Sequence, residues 1–123
     1  MNTKKMIFAL LVGLLVVSML SACGGDEGSG KPYIPVISKG FQHQFWQAVK
    51  AGSEQAAVDF DVEITFEGPE TEAMVDKQVE MFQTALDKNP AAICLAAVDS
   101  KAFEPLLQEA KEKGIPVIGF DSG

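Results

Sequence analysis

The residues whose types and positions fit ligand contact are few. Phe45 and Trp46 are adjacent. Neighbours on a helix diverge by about 100°, so the two rings cannot enter one core equally, and one is expected to turn toward a cleft. A flat aromatic face suits the apolar C–H face of a sugar or another small polar ring. The plain alternative is two aromatics packed on a sheet and under the following loop. Asp121 comes just after the apolar pair Val117-Ile118. A carboxylate there can accept two hydroxyl hydrogen bonds in a shared fork; otherwise it is a loop acid lining solvent or a hinge. Asp99 follows the apolar run from Ala91 to Val98 and precedes a helical pattern, which fits an N-cap as well as a ligand contact. His43 reads as a polar loop residue beside the rings. Lys39 borders the same place or is solvated.

These residues offer little to a catalyst. Acids pair up as Glu67 with Glu70 and Asp99 with Asp121, but carboxylates are frequent in a chain with 17 of them. One histidine and no Gly-x-Ser-x-Gly elbow leave no triad. The glycine-rich segment from Gly24 to Gly30 does not follow a strand, so no nucleotide fingerprint is expected. Two lone cysteines, Cys23 and Cys94, and one histidine make no metal-ligand set, and no disulfide, zinc site or cofactor is expected. Cys94 lies in an apolar run and reads as a small core residue. Net charge is −7 and all ten basic residues are lysine. Nucleic-acid binders show a basic face and bidentate arginines; this chain has neither.

The elements that position these residues alternate. Tyr33–Ser38 reads as a strand, with Pro35 awkward for a central position. Phe41–Phe60 reads as a helix with Phe45, Val49, Ala56 and Phe60 at helical spacing; Gly52 inside it calls for a close approach to the sheet. Val62–Phe66 alternates as a strand with one wetter face. Glu72–Lys88 is a second helix, stopped by Asn89-Pro90. Ala91–Val98 reads as a central parallel strand covered on both faces. Lys101–Lys113 is a third helix ended by Gly114, and Pro116–Phe120 is a fourth strand. The order β-α-β-α-β-α-β predicts an α/β fold, a doubly wound parallel sheet with right-handed crossovers. The carboxyl edge of such a sheet is where ligands bind. Asp121, Asp99 and the Phe45-Trp46 pair all fall there.

The first residues read as an address. Lys4 and Lys5 precede a largely apolar run of fifteen residues, Met6 to Leu20, about the length of a signal-peptide core and short for a membrane span. Leu20-Ser21-Ala22-Cys23 resembles the lipobox of bacterial lipoproteins. That resemblance implies cleavage before Cys23 and a diacylglyceryl group on its sulfur. It divides the chain into a signal peptide (1–22), a lipidated cysteine with a flexible polar tether (23–32) and a folded part (33–123). Removing residues 1–22 takes away two lysines and no acids, so the mature charge moves from −7 to −9. Dual acylation anchors stably, which places the folded part outside the bacterial cell membrane.

Several short segments together resemble a known family. They are Phe45-Trp46 with Val49-Lys50-Ala51-Gly52 and Ala56-Ala57; Asp76-Lys77-Gln78-Val79; Ala92-Ile93 through Asp99-Ser100; and Gly114-Ile-Pro-Val-Ile with Asp121. In order and spacing they look like the N-terminal lobe of a periplasmic-type sugar-binding protein of the ribose/galactose/LacI-like class, periplasmic binding protein type I. The resemblance implies a monomeric substrate-binding subunit of an ABC importer that hands a sugar to permease subunits, with two lobes closing by a hinge. The second lobe is absent from this chain, so residues 24 to 123 alone are expected to bind sugar very weakly. Phe45 and Trp46 align with the paired aromatics that sandwich the sugar, and Asp121 with the acid that binds its hydroxyls. His43 falls where ribose binders often have asparagine. Ser122 stands where the family commonly has arginine, which points away from ribose. The other reading is a membrane-tethered sensor presenting a sugar or a furanosyl autoinducer to a receptor kinase.

Overall fold

A computed structural model describes residues 30–121. Four strands and three α-helices alternate: β1 (Tyr33–Ile37), α1 (Gln44–Asp59), β2 (Glu63–Glu67), α2 (Val75–Asp87), β3 (Ile93–Leu95), α3 (Glu104–Glu112) and β4 (Val117–Gly119). A 3₁₀ turn, Ser100–Phe103, leads into α3. All pairings are parallel and the strand order is β2-β1-β3-β4. The chain steps one way from β1 to β2, then back past β1 to β3 and β4. Right-handed crossovers therefore place α1 on one face and α2 and α3 on the other. The expected doubly wound arrangement is present.

The two faces are unequal. Ile37, Ile93 and Leu95 point toward α2 and α3 and pack with Phe82, Leu86, Phe103 and Ala110. Phe82 and Phe103 meet edge to face at 5.5 Å, a favourable ring geometry. The α1 face is thinner. Trp46 is its one buried helical residue, and Ile118 on β4 is half-exposed.

Several elements differ from their sequence reading. The β3 ladder covers only Ile93–Leu95. Ala96 continues the line with one bond to Ile37 and is fully buried, so apolarity outruns pairing there. Pro35 lies in a central strand after all. The β1–β3 ladder uses only Val36 and Ile37, so the N–H that proline lacks falls outside it. The first helix starts at Gln44, not Phe41, because His43 caps it. Phe60 is the C-cap and is 77% exposed, so it does not extend the buried stripe. Gly52 is exposed, and a Cβ there would meet nothing within 4 Å. No close approach to the sheet accounts for it.

The Gly114 ending holds as read. Its φ is +71. Ile115 N–H bonds to Ala110 C=O at 2.9 Å and Gly114 N–H to Lys111 C=O at 3.1 Å, the paired bonds of a Schellman ending. The N-terminal segments, Cys23 and the tether before Gly30 lie outside the described residues. Among the described residues, no helix is long and apolar enough to cross a membrane.

Candidate functional site

The strand order creates one topological switch point. β1 leads to α1 on one face, and its neighbour β3 leads to α3 on the other. A crevice opens where the chains part, at the carboxyl ends of both strands. Around it stand the exits of β1 (Ser38 to His43), β2 (Gly68 to Glu72), β3 (Asp99) and β4 (Phe120, Asp121).

The two rings are placed differently. Trp46 is 3% exposed and Phe45 49%. They meet edge to face, with centroids 4.8 Å apart. Trp46 is enclosed on several sides. Its Nε1–H donates to Glu72 Oε1 at 3.4 Å, Phe120 lies edge-on at 6.5 Å, and Gly40 presses against the indole. An indole N–H that is buried needs such a partner. The sandwiching expectation therefore rests on Phe45 here; Trp46 acts as its backing wall.

His43 caps α1. Its Nδ1 accepts from Phe45 N–H at 3.1 Å. The exposed ring thus fixes the helix start that carries Phe45. Asp99 caps the 3₁₀ turn, its carboxylate accepting from Lys101 N–H at 2.9 Å. The cap alternative for Asp99 is therefore realised, at the site's margin.

Asp121 stands exposed at the β4 exit and reaches a buried partner. Its Oδ2 lies 3.1 Å from Lys39 Nζ. Lys39 is buried at 8% exposure, not the solvated side chain a lysine ordinarily is. An open hollow beside β4 is lined by Val117, Phe120, Asp121 and Leu107. Sequence reasoning missed the burial of Lys39 and the role of Glu72. The available signal for Lys39 was its position directly after a buried strand. Glu72 carried none, because its partner lies 26 residues away. Among the described residues no group of histidine, cysteine and acids could hold a metal ion.

Residues 34–123 match the family described as periplasmic binding protein domain. The chain belongs to that family. A solved Brachyspira murdochii protein, described as an ABC transporter, LacI family transcriptional regulator, is 48% identical with a TM-score of 0.72; the match covers 78% of this chain and 30% of that one. A carbohydrate transporter solute binding protein from Agrobacterium radiobacter, in complex with D-arabinose, is 32% identical with a TM-score of 0.73, covering 78% and 32%. The fructose import binding protein FruE of Bifidobacterium longum is 26% identical over 125 residues, covering 98% of this chain and 38% of its own length. The chain thus spans about a third of the length of these family members.

Proposed function

We propose that this chain forms one wall of a sugar-binding cleft in an extracytoplasmic solute-binding lipoprotein that serves an ABC permease. The observation that carries the reading is the contact of the Asp121 carboxylate with a buried lysine at the carboxyl edge of the sheet, the edge on which the half-exposed ring of Phe45 also stands. A sugar offers one apolar C–H face and several hydroxyls. Phe45 would take the face and Asp121 the hydroxyls. Family members that bind D-arabinose or import fructose support the ligand class.

The work done is capture without turnover. A sugar that touches both walls of a cleft shifts the population toward the closed form, and a permease can read that form. Cys23 supplies the lipid anchor that keeps the domain at the membrane surface. The protein acts as a monomer.

A thermal-shift panel of D-arabinose, D-ribose, D-allose, D-fucose and D-fructose against the protein expressed from its complete reading frame tests this reading. At least one sugar should raise Tm, be recovered chemically unchanged, and lose its effect in Asp121→Ala. A panel with no shift, or a sugar that is consumed, contradicts it. Anchoring is tested separately: Cys23→Ser should move the protein from the membrane fraction to the supernatant.

A further inference from the structure

Among the described residues three polar side chains are buried, Ser38, Lys39 and Gln78, and all three converge on the exit of β1. Ser38 and Lys39 belong to that exit. Gln78 reaches it from α2, 40 positions along the chain, and interrupts an apolar stripe that includes Val75, Val79 and Phe82. An amide withdrawn from water must find partners for its oxygen and its N–H groups. Gln78 finds three. Its Nε2 donates to the carbonyls of Ser38 and Ala96, both at 2.8 Å. Its Oε1 accepts from Val98 N–H at 2.9 Å.

Those partners sit where the sheet stops holding the chain. The ladder between β1 and β3 ends at Ile37 and Leu95, with one further bond from Ala96 N–H to Ile37 C=O. Beyond it the two exits leave for opposite faces. The Gln78 amide spans the gap, one residue before Lys39 on one side and one before Asp99 on the other. Ser38 extends the junction to the neighbouring exit, since its hydroxyl donates to Gly40 C=O and approaches Glu67 C=O at 3.1 Å.

We infer that Gln78 is a positioning residue. It fixes the separation of the β1 and β3 exits at the switch point, and so places Lys39, and Asp121 through Lys39, for ligand capture. Its functional consequence rests on the sugar-cleft reading; its geometry does not.

Gln78→Met keeps the length of the side chain and removes all three hydrogen bonds. The control is Phe82→Leu, one turn further on the same helix and in the same core, where the ring meets Phe103 and makes none of the Gln78 hydrogen bonds. Crystal structures of both variants and titrations with D-arabinose, D-ribose, D-allose, D-fucose and D-fructose are compared. In Gln78→Met the exits should part and the Lys39–Asp121 contact should open, while Phe82→Leu keeps both. Sugar affinity should fall about tenfold or more in Gln78→Met and stay within about twofold in Phe82→Leu. Exits and ion pair unmoved in Gln78→Met overturn the inference, as does an equal loss of affinity in the two variants. If the unaltered protein takes none of these sugars, the sugar reading falls and the distances alone decide. If Gln78→Met does not fold, Gln78→Asn replaces it. That amide is one methylene short and can hold only one exit, so unmoved exits there overturn the inference equally.

Discussion

Lys39 and Asp121 meet across a strand that belongs to neither. Their 3.1 Å contact joins the exit of β1 to the exit of β4, while β3 lies between those strands in the sheet. No ladder connects the two exits, so charge supplies a link that backbone pairing does not. Asp121 also sits at φ +60. Asp61 and Asn89 share that left-handed conformation, but each follows a helix end, where it is routine. Asp121 follows a strand. A left-handed backbone costs a non-glycine residue roughly 1–2 kcal/mol, and such positions cluster at ligand sites.

The pair is asymmetric, and that sets the first prediction. The Lys39 side chain is 10% exposed and that of Asp121 33%. Removing the carboxylate takes a partner from an ammonium that water hardly reaches. Removing the ammonium leaves a carboxylate that water can reach. Asp121→Ala should therefore cost about 1–3 kcal/mol, and Lys39→Met less, because methionine suits a buried stem. Urea denaturation of both variants checks this. A larger loss in Lys39→Met would contradict it.

The order of elements, the parallel sheet and the Gly114 ending were legible in the sequence, because periodicity and helix-stop chemistry are local. The division of labour at the site was not. Adjacent Phe45 and Trp46 announce that one ring faces outward, but which one depends on Glu72 and Phe120, both remote in sequence. Lys39 and Gln78 are polar by type and buried only because partners arrive from other strands. The run Ala91–Val98 promised a long strand, yet pairing stops at Leu95 where the neighbouring exits diverge. Gly52 shows the opposite limit. A residue that should mark a packing constraint marks none.

Two glycines should respond to alanine in opposite directions. Gly52 lies mid-helix with open space around it and no positive φ. Gly52→Ala should stabilise the fold by up to about 1 kcal/mol through helix propensity. Gly114 also has open space, but its φ is +71. Gly114→Ala should cost about 1–2 kcal/mol, since the Schellman bonds hold the residue left-handed. Thermal melts should give shifts of opposite sign, and a stabilising Gly114→Ala would show that the ending relaxes.

Cys94 should be a slow nucleophile. Burial raises the pKa of its thiol above the ordinary value by disfavouring the thiolate, which is the reactive form. A disulfide reagent should react sluggishly with the folded Cys23→Ser protein at neutral pH and faster as pH rises. Urea should speed the neutral reaction, because unfolding removes the burial that disfavours the thiolate. The linkage has a definite sign. A group whose folded pKa is raised contributes stability below its unfolded pKa, and that contribution is lost as pH rises through the folded value. Cys94→Ala should therefore flatten the alkaline fall in stability. Fast neutral labelling would show that this face of the sheet opens readily.

The tightest packing at the site lies between the β1 and β2 exits. A Cβ on Gly68 would collide with Ser38 Oγ and stand 2.7 Å from Gly40 C=O. The carbonyl is backbone and cannot step aside without moving the loop that carries Lys39. A Cβ on Gly40 would stand 3.1 Å from Cδ1 and Nε1 of Trp46, a side chain that can give by a few tenths of an ångström. Gly68→Ala should therefore cost about 1–3 kcal/mol, as overpacking does, and Gly40→Ala less. The fluorescence should rank them the other way. Trp46 is the one tryptophan in the chain, so emission reports its surroundings directly. Gly40→Ala pushes on the indole and its bond to Glu72, and should shift the emission at full folding. Gly68→Ala pushes on backbone and should lower Tm with a smaller spectral change. If Gly68→Ala melts like the unaltered protein, the two exits are not locked together, and the crevice lacks the fixed floor that ligand capture needs.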